Sequence, residues 1–214
     1  LTIVGNVDYT DILQKIENKF GIWDDVKVGL EERNVESEPG IYINKGSGNS
    51  TVLSIGFRAP GYGTANRLAV EMMVRILGSG SLQSRIVTEI RGKRGLAYNV
   101  GGFASFFEKR GTIGFTVVCD KNRSIETAKV LSDVIIQARE HGFNEDEIIR
   151  EKHVMETNMI LAIDNITEHL KYIGRCSSMD KNFYIENEIR LIRNIQKEYV
   201  DRAAKQLLCD LNMG

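Results

Sequence analysis

Cysteine is scarce in this chain: Cys119, Cys176 and Cys209 are all there is, and no two of them stand as CxxC. An odd, scattered set argues against a disulfide framework and fits a reducing compartment, or thiols buried as small hydrophobes. A cytoplasmic location is the expectation. Excess charge is missing as well, since 28 Lys and Arg stand against 29 Asp and Glu for a formal net charge of -1. Nucleic acid and anionic membranes both require a clustered cationic surface, so neither is expected as a partner. The one basic cluster, Arg91, Lys93 and Arg94, is too short to change this and reads, at Lys93 and Arg94, as a solvated turn. No apolar run approaches the ~20 residues that span a bilayer, and no secretion signal is legible. Internal repeats and low-complexity segments are also absent. There is no GxSxG elbow, and no cysteine has a sequence partner that marks it as activated. The GSGS stretch from Gly78 lacks the GK[ST] ending and follows no strand, which excludes a phosphate loop.

What remains is an ordinary globular composition, 42% hydrophobic and 27% charged over 214 residues, long enough to bury a core. Leu1 to Val7 reads as a short apolar strand, and Asp8 can cap a helix in which Ile12, Leu13, Ile16 and Phe20 recur at helical spacing. Gly21 to Pro39 shows no period and reads as a linker. Ile41 to Lys45 and Thr51 to Arg58 alternate, with Leu53, Ile55 and Phe57 on one face, and the intervening GSGNS predicts a hairpin. A helix over Asn66 to Leu77 carries an apolar stripe of Leu68, Ala69, Met72, Met73 and Ile76, whose methionines fit core filling. Ala97 to Phe107 and Thr112 to Cys119 read as a second hairpin.

From Ser124 the period changes to that of helices, expected over Ser124 to Glu140, Glu145 to Ile163, Ile166 to Ser177, Phe183 to Ile192 and Lys197 to Leu208. Asn144 and Glu147 stand at capping-box spacing. Strands gathered in the first half and helices in the second predict an α+β fold, a mixed, largely antiparallel sheet with helices on one face.

The candidate site lies in Ser84 to Val100, SRIVTEIRGKRGLAYNV. A helix-like run ends at Arg91, a turn follows with glycines at Gly92 and Gly95, and a strand carries Tyr98. A guanidinium and a phenol on either side of one bend suit a developing negative charge, because both can point at one oxygen without reorganising. The same residues also have a structural reading: Arg91 complements a helix C-terminus, and Tyr98 is an ordinary strand residue. Gly101 and Gly102 inside the strand mark either a bulge or a close backbone approach.

Around this stretch stand VLSIGFRAP at Val52 to Pro60, ILGSGSLQSR at Ile76 to Arg85, GTIGFTVV at Gly111 to Val118 and NEDEIIREK at Asn144 to Lys152. In that order and spacing, and above all in the SR(x)5R(x)3GLAY pattern of Ser84 to Tyr98, the chain resembles the pitrilysin or insulinase family of zinc metallopeptidases, which includes the mitochondrial processing peptidase. The likeness covers nearly the whole chain. It implies that 39–214 is the metal-free α+β domain of such a protein. It also implies that 1–38 is the closing strand, helix and linker of a preceding domain. The chain does not open on Met, and the expectation is that its N-terminus was produced by cutting a larger protein.

By the resemblance, Arg91 and Tyr98 reach across a chamber to a zinc site in the other half, hold substrate and help stabilise the tetrahedral intermediate. Gly101 and Gly102 leave room for a passing peptide. The expected substrate is a peptide or unfolded polypeptide. The expected partner is a zinc-bearing domain or subunit of the same family, with a homodimer also open. Zinc belongs to that missing half, because this chain has no HxxEH. His153 to Thr157 comes within one residue of it, but Thr157 occupies the second ligand position, and catalytic zinc usually takes three protein ligands. No metal ligand is therefore expected here. One departure concerns substrate preference: Gly92, Lys93 and Arg94 stand where many relatives carry an acidic residue just after the arginine. The alternative reading is a catalytically inactive scaffold or peptide-binding subunit of the same fold.

Overall fold

The computed structural model describes residues 1–24, 39–79, 81–179 and 184–213. Most of the expected linker, and Phe183, lie outside them. Along the chain come α1 (Tyr9–Phe20), β1 (Ser50–Pro60), α2 (Arg67–Val74), a π-helical turn at Arg75–Ser79 and a second π-helical segment at Val87–Lys93. They are followed by β2 (Ala97–Phe106), β3 (Arg110–Asp120), α3 (Ser124–His141), α4 (Glu145–Asp164), α5 (Ile166–Ser178), α6 (Ile185–Arg193) and α7 (Lys197–Leu207).

β3 is the central strand, and its composition explains why. Ile113, Phe115, Val117 and Cys119 alternate along it, and all four are buried. It pairs antiparallel on both sides, in the order β1-β3-β2. The register sets Leu53, Ile55 and Phe57 against Val117, Phe115 and Ile113, so the apolar sets of both strands fall on one face. A slip of one residue would turn that whole set outward. β2 and β3 form the expected hairpin, closed by Phe107 N–H donating to the Arg110 carbonyl at 2.8 Å.

Helices cover the apolar face, as an α+β fold requires. The stripe Leu68, Ala69, Met72, Met73 and Ile76 is buried, and the two methionines fill the core. α2 packs on α7, and α3 packs on α7 and on the second π-helical segment. The helices of the second half lie within a residue or two of the sequence expectation. Asp8 caps α1 by accepting from Asp11 N–H at 2.8 Å.

Two expected strands do not form. Residues 41–45 carry no strand pairing, and Ile41, Tyr42 and Ile43 are 91%, 83% and 81% exposed. β1 takes β3 as its partner, not a sequence neighbour across GSGNS. Leu1 to Val7 likewise forms no strand, and Leu1 and Val7 are exposed. Alternation supplies a capacity for strand, but a ladder forms only where another strand is paired to the segment, and neither segment is paired in the described residues.

The described residues group into two compact units, 1–24 with 160–179 and 39–159 with 184–213. The smaller holds α1 and α5, where Asn165 caps α5 by accepting from Thr167 and Glu168 N–H. The larger holds the sheet and its helical cover.

Gly102 resolves the question raised by the paired glycines, because it is a point of close approach. A Cβ there would stand 3.3 Å from the carbonyl carbon of Gly78 and 3.2 Å from the Phe115 ring, while one on Gly101 would meet nothing within 4 Å. The bulge lies elsewhere in the strand, at Tyr98. Gly78→Ala would set a methyl 2.9 Å from Phe115 Cδ1, and Phe115 has no room to yield. It should cost about 1–3 kcal/mol in thermal unfolding, whereas Gly101→Ala should stay within ~0.5 kcal/mol. Equal effects would contradict this packing.

Candidate functional site

The segment that carries Arg91 is pinned by two buried isoleucines one helical turn apart. Ile86 and Ile90 are both 0% exposed. At its start, Arg85 donates from Nε and Nη2 to the two oxygens of Glu147 at 2.8 and 2.6 Å, and its guanidinium lies 4.7 Å from the centre of the Phe143 ring. Glu147 also accepts from Asn144 N–H at 2.8 Å, which is the reach-back half of the expected capping box. At the segment's end, Leu96 N–H donates to the Ile90 carbonyl at 2.8 Å. Gly95 takes φ 55°, a left-handed conformation that glycine adopts without steric cost. Gly92, expected in the turn, lies inside the π-helical segment.

Tyr98 occupies an irregularity of β2. Ala97 pairs with Cys119 and Asn99 with Val118, so one residue of β2 has no counterpart on β3. Such a bulge re-aims a side chain, and Tyr98 is 81% exposed. The Arg91 guanidinium stacks on its ring, 4.5 Å from the centroid. Among the described residues Arg91 has no carboxylate partner, and the Tyr98 hydroxyl has no hydrogen-bond partner. The neighbouring cations differ, since Lys93 and Arg94 both bind Glu89. Their hydrogen bonds, Lys93 first, hold the Glu89 carboxyl below its ordinary value. Arg91 is thus left as a free guanidinium, ordered by stacking and not by neutralisation.

Arg91, Tyr98, Gly101 and Gly102 line one groove of about 430 Å³, together with Gly78 and Ser79 of the first π-helical turn. Among the described residues no carboxylate lines it. The groove lies at β2, a sheet edge, and its glycines keep side chains out of the way of an approaching chain. An arrangement of this kind can hold a peptide backbone and offer a phenolic and a guanidinium donor to one oxygen.

Glu156, weighed with His153 as a partial metal motif, is engaged by Arg193, whose Nε donates to Oε1 at 3.1 Å. That hydrogen bond holds its carboxyl below the ordinary value. Among the described residues no group of three or more His, Cys, Asp and Glu could hold a metal ion. Sequence reading missed the pairing of Arg85 with Glu147. Both residues stood in quoted motifs, but 62 positions separate them and no local pattern joins them.

Burial by itself would raise the Glu147 carboxyl, but hydrogen bonds from Arg85 and Asn144 and the charges of Arg85 and Arg150 outweigh it and hold the group below its ordinary value. The pairing therefore stabilises the fold fully above about pH 4.3, the unfolded value, and is lost as pH falls through the lower folded value. Glu147→Gln should cost about 2 kcal/mol at pH 7, with a gap to the unaltered chain that narrows below about pH 4. Urea unfolding at pH 7 and pH 3 measures it, and a gap independent of pH would refute the pairing.

A family model described as "Peptidase M16 inactive domain" matches residues 1–155. An "Uncharacterized zinc protease" of Mycobacterium tuberculosis is 27% identical over 210 residues, 95% of this chain and 48% of the relative. Another from Rickettsia felis is 27% identical over 217 residues, 99% of this chain and 51% of the relative. The chain spans about half the length of these curated relatives. Among solved structures, a protease from Helicobacter pylori superposes with a TM-score of 0.86 at 12% identity, over 98% of this chain and 52% of that one. A peptidase M16 inactive domain from Pseudomonas fluorescens gives 0.69 at 22% identity, over 77% and 39%. A chain of Complex III2 from Candida albicans gives 0.76 at 13% identity, over 98% and 52%. At these identities the superpositions show the fold. With the family model spanning residues 1–155, the sequence match and the α+β architecture agree, and this chain belongs to the peptidase M16 inactive domain family of zinc protease-like proteins.

Proposed function

We propose that this chain is the substrate-holding, non-metal-binding domain of a zinc metalloendopeptidase, and that Arg91 and Tyr98 are the residues it brings to the reaction. The observation that carries the reading is the free pair itself. Arg91 is stacked on Tyr98 but unpaired with any described carboxylate, in a groove whose described lining holds no competing negative charge. A fixed cation without a partner suits a partner that arrives with the substrate. Zinc held by another domain or a partner subunit supplies the hydrolytic chemistry in this reading. Here the Tyr98 hydroxyl donates to the oxyanion formed from the peptide carbonyl. Arg91 holds the substrate or shares that charge, and Gly101 and Gly102 leave the backbone room to approach. A peptide or unfolded polypeptide substrate belongs to the same reading, as do a cytoplasmic location and a domain boundary near residue 38. A zinc-bearing partner of the same family and a homodimer are its expected assemblies.

A second reading, a scaffold or peptide-binding subunit without catalysis, draws on the likeness of fold to a chain of Complex III2. The two separate in one assay. In the full-length protein, with any copurifying zinc-bearing subunit, Tyr98→Phe should lower kcat on an unstructured peptide about a hundredfold and change KM far less. Chelator-sensitive cleavage with unchanged kcat would remove Tyr98 from the mechanism. The absence of any cleavage would favour the scaffold.

A further inference from the structure

The link between Arg85 and Glu147 does more than join two helices. Ile86 and Ile90, both fully buried, set which face of the segment bearing Arg91 turns to the core, but apolar contact has no directional preference of its own. The segment is π-helical from Val87 to Lys93, a form with rare, locally irregular hydrogen bonding that often occurs at functional sites. A directional contact from outside the segment narrows its azimuth further than apolar packing does. A bidentate guanidinium–carboxylate pair does this, because its two parallel hydrogen bonds fix orientation as well as distance.

The carboxylate in question is itself held in place. Glu147 accepts from Asn144 N–H at 2.8 Å, and the adjoining Phe143 N–H donates to Asp201 Oδ1 of α7 at 2.9 Å. Gly142, at φ 69°, lies so close to Asp201 that a Cβ would stand 2.7 Å from its carboxyl carbon. Phe143 is 2% exposed and supports the Arg85 guanidinium from its ring face. The Arg85 and Glu147 side chains are only 22% and 13% exposed, so water competes little for their hydrogen bonds. A continuous path of directional contacts therefore runs from α7 through the start of α4 to the first turn of the segment that ends in Arg91.

We infer that Arg85 and Glu147 are positioning residues for Arg91, their bidentate pair fixing the rotation of the π-helical segment so that the Arg91 guanidinium lies over Tyr98 and faces the groove. This rests on the reading of Arg91 and Tyr98 as the substrate-holding pair. Neither Arg85 nor Glu147 lines that groove, so their influence on turnover passes through Arg91.

The test is a double-mutant cycle on the full-length protein with its zinc-bearing partner, read by kcat and KM on an unstructured fluorogenic peptide and by Tm. Glu147→Gln should lower kcat by about tenfold to a hundredfold, with a smaller change in KM. In an Arg91→Ala background it should lower kcat no further, while lowering Tm equally in both backgrounds. Glu147→Asp, which keeps the charge but shortens the reach, provides the same cycle if Glu147→Gln does not fold, and Arg85→Lys should lower kcat likewise because a lysine cannot bind bidentately. Equal fold-losses in both backgrounds, or an unchanged kcat, would overturn the positioning role while leaving the Arg91 reading intact. An Arg91→Ala protein with undiminished kcat would instead overturn the substrate-holding reading, and the positioning role with it.

Discussion

Phe115 has no exposed surface, and the groove takes its shape from the way the chain closes around that ring. The ring stands on the central strand, where pairing on both sides leaves it no lateral freedom. Above it, Gly78 of the first π-helical turn and Gly102 of β2 approach each other closely enough that a side chain on either would strike the aromatic ring. The helical layer can come this close to the sheet only because both positions lack a Cβ. Burial of Phe115 and the narrow meeting of Gly78 with β2 are one packing event. The groove begins where that contact ends.

From this contact the site is assembled by two departures from regular structure. The helix that continues past Ile86 widens into a π-helical segment, and β2 accommodates an extra residue at Tyr98. Both are irregularities of the kind that redirect side chains. Together they bring a guanidinium from a helix and a phenol from a strand into face-to-ring contact, although seven positions of sequence and a left-handed glycine at Gly95 separate them. Lys93 and Arg94 turn to Glu89, and Arg91 is the one charged side chain among the described residues that line the groove.

The ionic contacts of the larger unit share a pattern that stabilises specific orientations more than it adds net energy. Arg67 is held between Glu71 and Glu188 and lies 4.3 Å from the Tyr62 ring centre. Burial lowers its proton affinity, but Glu188, Tyr62 and Glu71 more than compensate, so the net shift is upward. Arg75 binds the buried Glu151. The Arg67–Glu188 pair ties α2 to α6, and the Arg75–Glu151 pair ties the π-helical turn after α2 to α4. Buried pairs of this kind often contribute little net stability over apolar replacements but are costly to break singly. They suit a layer whose register against the sheet has to be held.

The amino-acid sequence by itself determined the elements whose signals are local. Periodicity marked the helices of the second half, Asp8 marked the cap of α1, the Asn144 and Glu147 spacing marked the start of α4, and alternation marked β1 and the hairpin of β2 and β3. The SR(x)5R(x)3GLAY pattern singled out Arg91 and Tyr98, and both line one groove. Tertiary structure decided what depends on a partner distant in sequence. Alternation at Ile41 to Lys45 could not reveal that β1 would pair with β3, because pairing energy belongs to two edges and not to one segment. The bulge at Tyr98 and not at Gly101 is set by the register with β3. The close approach at Gly102 depends on Gly78, and the bond from Arg85 to Glu147 spans 62 residues. Local composition left only the paired glycines as a trace, and these could not separate bulge from close approach, because each feature arises from where the packed layers bring two remote stretches of chain together.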